Sequence, residues 1–206
     1  EDMGIATEIY ANSVAAKVKE PGVYRISEMP KICEDDIILY HMANGSSLNT
    51  MVPELNCRKI MIYHNITPPE FFKVDSFTAS RECQKGLNDM ENVKGMYTAY
   101  IADSEFNKND MVEMGYKEND IDVIPVIVPF DDYKQAPDKN MMTELSDGKT
   151  NIVFVGRIAP NKKHEDLIRT FAHYKKFVNP NSRLILAGGA NTNGMYYGDL
   201  LDYIKH

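Results

Sequence analysis

With 206 residues, 43% hydrophobic and 26% charged, the chain has an ordinary globular composition and enough apolar material for one large or two small cores. Its 23 Lys and Arg stand against 30 Asp and Glu, and the net charge of −7 argues against a general affinity for nucleic acid or anionic lipid, so any anion site must be local. No apolar run approaches the ~20 residues of a membrane span, and residues 1–15 lack the basic start and apolar stretch of a signal peptide, which makes a cytoplasmic location the expectation.

In chain order, "IATEIYA", "DIILYH", "KIMIYH", "TAYIAD", "DVIPVIV", "NIVFVG" and "RLILAGG" are apolar runs too short for helices, separated by polar turns and helical patterns. Strands alternating with helices imply βαβ units and a parallel sheet. The runs are continuously apolar, as expected of strands covered on both faces, so the fold class is α/β, doubly wound. Residues 76–93 read as a helix burying Phe77, Cys83, Leu87 and Met90, with Gly86 costing about 1 kcal/mol relative to Ala. Ser104 reads as the cap of a helix through Met114, with Phe106, Met111 and Met114 inward and Gly115 as its stop. Leu167, Ile168, Phe171, Ala172 and Val178 fall on one face of a third helix. Cys33, Cys57 and Cys83 show no Cys-x-x-Cys and no His at ligand spacing, so buried, inert thiols are expected rather than a metal site or a disulfide framework. Residues 134–150, polar and punctuated by Pro137 and Gly148, read as a linker between a first domain over 1–133 and a second starting at 151–206.

Ligands in open α/β sheets gather at the carboxyl ends of the strands. There the sequence delivers His41 and Asn44-Gly45-Ser46, then His64, then Asp103-Ser104, then Gly156-Arg157. A lone His at a strand end is commonly structural, and Ser104 is accounted for by its cap. The turn after "NIVFVGRIAP" is less easily dismissed. Its spacing puts Lys162, Lys163 and His164 in a first helical turn, where the dipole favours anions instead. A phosphate held by Arg157, Lys162, Lys163 and the helix-terminal N–H groups would reverse that sign, and Gly156 lets backbone approach closely. A charge-assisted bond of about 1.5–3 kcal/mol outweighs the ~0.3–1 kcal/mol cost of a misplaced surface cation. Neither G-x-G-x-x-G nor G-x-x-x-x-G-K-[ST] occurs, so an ordinary dinucleotide site or P-loop is excluded.

"VGRIAPNKKHEDLIRTFAHY" with "SRLILAGG" resembles the start of the C-terminal domain of retaining family 4 glycosyltransferases of the GT-B fold. "RKIMIYHNITPPEFF" with "YIADSEFNKNDM" resembles their N-terminal domain. The resemblance implies two Rossmann-like domains, both incomplete, since the family's glycine-rich opening loop and its pair of Glu residues have no counterpart here. It also implies transfer of a sugar from a nucleotide-sugar donor to the hydroxyl of a carbohydrate or lipid-linked acceptor, with retention, in polysaccharide or glycoconjugate synthesis. No metal or other cofactor is expected. Arg157 and Lys162 would hold the donor diphosphate, and His64 would contact the donor sugar or orient the acceptor. His41, Asn44, Lys163 and Ser104 are secondary candidates. Transfer by these 206 residues alone is not expected. Self-association through exposed sheet edges, and at most peripheral contact with the inner face of a membrane, complete the expectations. A nucleotide-sugar epimerase of similar architecture and a non-catalytic sugar-nucleotide or interaction module are the competing readings.

Overall fold

The computed structural model describes residues 4–16 and 18–205, so residues 1–3 and 206 at the outer limits of the two expected domains lie outside the described part. Strand β1 (Ile9–Ala11) pairs in parallel with β2 (Val23–Arg25) as a small separate ribbon. β2 has no sequence signal of its own, because "VYR" is too short to display a period. Next come β3 (Ile37–Met42), the short α1 (Leu48–Met51), β4 (Arg58–Tyr63), α2 (Phe77–Asn92), β5 (Ala99–Ala102), α3 (Glu105–Glu113) and β6 (Ile121–Val123). β3, β4, β5 and β6 form one parallel sheet in that order. "DVIPVIV" supplies only two residues of β6, Asp122 and Val123, since Pro125 has no N–H for a ladder and restricts the residue before it. The expected linker carries a short helix, α4 (Lys139–Leu145), capped by Asp138. β7 (Thr150–Val155), α5 (His164–Phe177), β8 (Ser182–Ala187) and α6 (Met195–Lys205) follow, with β7 and β8 paired in parallel. No helix among the described residues is long and apolar enough to cross a membrane.

The core lies under the four-stranded sheet. Met42, Met61, Tyr63, Met90, Ala102 and Met111 are almost fully enclosed there, contributed by three strands and both covering helices. The alternation of β4 places Met61 and Tyr63 inward, while α2 presents Ser80, Cys83, Gly86 and Met90 at helical spacing. Phe77 and Phe106, expected inside, are 76% and 72% exposed. At about 100° per residue, Phe77 stands roughly 120° round α2 from Cys83, and Phe106 roughly 140° round α3 from Met111. Each simply follows its capping serine off the buried face. Ala172 is likewise exposed, and Val178 lies beyond the end of α5 at 67% exposure. Of the three thiols only Cys83 is buried; Cys33 is exposed and Cys57 half-buried.

Gly86 sits mid-helix because a backbone crosses it. A Cβ there would lie 2.9 Å from both Asn44 C and Gly45 N, and one on Gly45 would lie 2.5 Å from Glu82 O. The two glycines let the loop after β3 lie directly on α2, where Gly45 N donates to Glu82 O at 3.0 Å.

Candidate functional site

Parallel register brings the ends of β3, β4 and β5 to one level, with Met42 opposite Tyr63 and Tyr63 opposite Ala102. The residues following β4 and β5, His64 and Asp103, therefore emerge side by side, next to His41 near the end of β3. His64 Nδ1 lies 2.6 Å from Asp103 Oδ2, and His64 Nε2 lies 2.6 Å from His41 Nδ1. The two imidazole planes are 4° apart with centroids separated by 4.9 Å. Burial and the neighbouring His64 charge hold the His41 pKa below the usual histidine value, with Asp103 opposing them. The turn leaving this cluster is strained. Asn65 adopts a left-handed φ of 63°, tolerated by Asn better than by most residues, and is held by contact with Asn107.

A buried polar network fixes the adjoining loop. Asn49, 1% exposed, donates to Asn44 O at 3.0 Å and to Asp89 Oδ2 at 2.7 Å, and accepts from the Tyr40 hydroxyl. Lys85 joins Asp89 to Ser46 O. Asn44 thus acts mainly through its backbone; its side-chain Oδ1 is enclosed without a partner among the described residues. Ser104 is a helix cap, its hydroxyl accepting from Asn107 N at 3.2 Å.

The basic turn departs from its sequence reading. Pro160–Lys162 form a separate 3-10 turn, and Lys163 takes a left-handed φ of 52° before α5 begins at His164. Lys162 and Lys163 therefore precede the helix, whose first turn carries Glu165 and Asp166, the signs its dipole favours. The Lys163 carbonyl accepts the first helical bonds, from Asp166 and Leu167. His164 is fully enclosed, burial depresses its pKa, and neither ring nitrogen has a partner among the described residues. Its backbone N–H donates to the Tyr196 hydroxyl at 3.0 Å, so the first N–H of the helix already has a partner. Cationic contacts here must come from side chains. Arg157 and Lys162 are exposed, Lys163 Nζ stands 5.3 Å over the Phe71 ring, and Gly156 is tied to β8 through Ala187 O. A Cβ on Gly188 would fall 2.0 Å from Gly156 O, so β8 and the Gly156 turn meet backbone to backbone.

Arg157 lines a cavity of about 190 Å³ shared with Ser76 and Ala79 at the start of α2. A neighbouring cavity of about 430 Å³ takes in Phe71, Asp75, Lys163 and Glu165. Neither is lined by His41 or His64, so the expected site residues fall into two groups, a histidine cluster and a basic cavity. Asp75 Oδ1 joins the two regions by accepting from Tyr196 N at 3.0 Å, capping α6 from a distant part of the chain. Three participants were not among the site residues singled out from the sequence. Asp103 had a signal, its place directly after a strand, but was overshadowed by the capping role of Ser104; the Asp75 and Tyr196 pair had none.

Solved structures share this arrangement of parallel sheets and helices. HepE of Anabaena in complex with UDP and glucose is 21% identical, with a TM-score of 0.56 over 72% of this chain and 38% of that one. Trehalose-6-phosphate synthase of E. coli bound with UDP-2-fluoroglucose is 14% identical, with a TM-score of 0.56 over 84% of this chain and 43% of that one. Both are GT-B glycosyltransferases. The fold is α/β and Rossmann-like, of the GT-B kind. This chain spans about two fifths of the length of those proteins. No protein-family model and no curated protein matches the sequence.

Proposed function

We propose that this chain belongs to a glycosyltransferase that moves a sugar from a nucleotide-sugar donor to an acceptor hydroxyl. The observation that carries the reading is Arg157, which follows β7 and lines a cavity together with Ser76 and Ala79 at the start of α2. An Arg sharing a cavity with a helix N-terminus, with Lys162 exposed nearby in sequence, suits a diphosphate that must be held as it leaves. The fold agrees, because its neighbours were solved with UDP, UDP-glucose or a fluorinated UDP-sugar.

In this reading the bond between the sugar's anomeric carbon and the diphosphate breaks while the acceptor oxygen bonds to that carbon. Arg157 and Lys162 stabilise the charge on the departing nucleotide, and the histidine cluster faces the sugar or the acceptor. Retention of configuration, a sugar of the hexose type, two domains meeting through residues 134–150, independence of metal, and a role in polysaccharide or glycoconjugate synthesis complete the proposal. The test is a radiolabelled transfer assay of the intact enzyme with UDP-, GDP- and ADP-sugars, alongside calorimetric titration with the free nucleotides. Acceptor-dependent release of one nucleotide, reduced about 10²–10³-fold in Arg157→Ala, is expected. Equal turnover in that variant, or release independent of acceptor, would sink the reading.

A further inference from the structure

We propose that His41 is the residue that meets a substrate hydroxyl, through Nε2, and that His64 and Asp103 are positioning residues that fix its tautomer. This rests on the transferase reading for the identity of the hydroxyl; the tautomers rest on the hydrogen-bond geometry taken with a neutral His64. An ionised carboxylate only accepts, so Asp103 requires the hydrogen of His64 on Nδ1. With His64 neutral, its Nε2 offers a lone pair, and His41, 2.6 Å away, donates from Nδ1. The hydrogen of His41 is thereby used, and its Nε2 is left as an acceptor. The near-parallel rings let each N–H lie along the next lone pair.

Exposure runs the same way. The Asp103 and His64 side chains are 18% and 28% exposed, while His41 is an exposed residue whose Nε2 has no hydrogen-bond partner among the described residues. A hydroxyl can reach only the outer member of the chain. His64, the histidine singled out from the sequence, has both ring nitrogens engaged within the cluster. It therefore acts through His41, much as a carboxylate-oriented imidazole acts through the group beyond it.

The arrangement has a pH dependence of fixed sign. Protonating His41 converts Nε2 from acceptor to donor, so a hydroxyl that donates to it loses its acceptor as pH falls through the His41 pKa. The titratable groups acting on it are His64 at the end of β4 and Asp103 at the end of β5. Burial and His64 together outweigh Asp103, which places the acid limb below the ~6.5 of an ordinary histidine.

Long-range ¹H–¹⁵N spectra of the 206-residue chain, labelled at histidine and recorded near pH 7.5, read the tautomers directly. The expected result is a neutral His41 and a neutral His64, each carrying hydrogen on Nδ1. In Asp103→Asn an amide can donate to His64 Nδ1, so the hydrogens of both rings should move to Nε2, although His41 does not touch residue 103. His64→Gln, in case the first variant does not fold, should abolish the single tautomer of His41. Hydrogen on His41 Nε2 in the unaltered chain, or a His41 signal indifferent to both variants, would overturn the chain of bonds. Titration with UDP-glucose should shift His41 Nε2 and UDP alone should not. UDP-glucose bound at saturation without that shift would refute the contact. Failure of every UDP-, GDP- and ADP-sugar to bind would instead refute the transferase reading and leave the tautomers to be judged by their spectra.

Discussion

Residues 37–123 and 150–205 share one alternation of strands and helices but are packed to different depths. The first region encloses a cluster that includes Met42, Met61, Tyr63, Met90 and Met111. In the second, among the described residues, only Ala159, His164, Ser182 and Leu200 are buried, and Val153 and Val155 of β7 are 55% and 78% exposed. Its integrity depends instead on the β7 and β8 ladder, on His164 set edge-on between Phe154 and Tyr196, and on the Asp75 clasp. The histidine cluster thus stands on a close-packed base and the basic cavity on a thin one. Fixed geometry belongs with tautomer control, whereas a diphosphate can be gripped by long, mobile cationic side chains.

The contrast is broken most decisively by unequal truncations. Met61→Ala removes a fully enclosed side chain and should cost about 2–5 kcal/mol in urea unfolding. Leu167→Ala, on the half-buried face of α5, should cost about 1 kcal/mol or less. Equal losses would show that the two regions are equally well packed.

Gly86→Ala probes what lets the loop after β3 lie on α2. Alanine favours a helix by about 1 kcal/mol, yet its methyl would meet two backbone atoms at 2.9 Å. A net destabilisation of about 1–3 kcal/mol is expected, because the overlap is with main chain that cannot rotate away. A gain in thermal stability would mean that the loop yields readily.

Asp75→Ala should cost about 1 kcal/mol, the usual worth of a helix cap, and its effect should appear in the second region. Faster amide exchange confined to Tyr196 and its neighbours would support this, whereas loss of protection in β4 would contradict it.

The smallest effect is a slope with pH. Burial lowers the pKa of His164, so the unfolded chain binds a proton more readily than the folded one. Its contribution to stability is full above the unfolded value of about 6.5 and declines as pH falls from there toward the depressed folded value. Thermal melts at pH 7.5 and 5.5 should show this decline, and His164→Phe should flatten it. An unchanged slope in that variant would assign the effect to other groups.

Sequence alone determined the α/β class, the carboxyl ends of β3, β4, β5 and β7 as the places where His41, His64, Asp103 and Arg157 emerge, and the serine cap of α3. Each is written in a local pattern, whether a continuous apolar run, a helical period or a capping residue. Tertiary structure decided what these residues do together. The link from Asp103 to His41 spans three strands, and parallel register, which no local pattern encodes, sets its distances. Gly86 reads as a helix defect until the loop that crosses it is seen. The start of α5 was misread because a 3-10 turn and an α-helix share their apolar spacing over a few residues, and only the left-handed Lys163 separates them. Asp75 and Tyr196 are 121 residues apart, and such a contact exists only once the chain has folded.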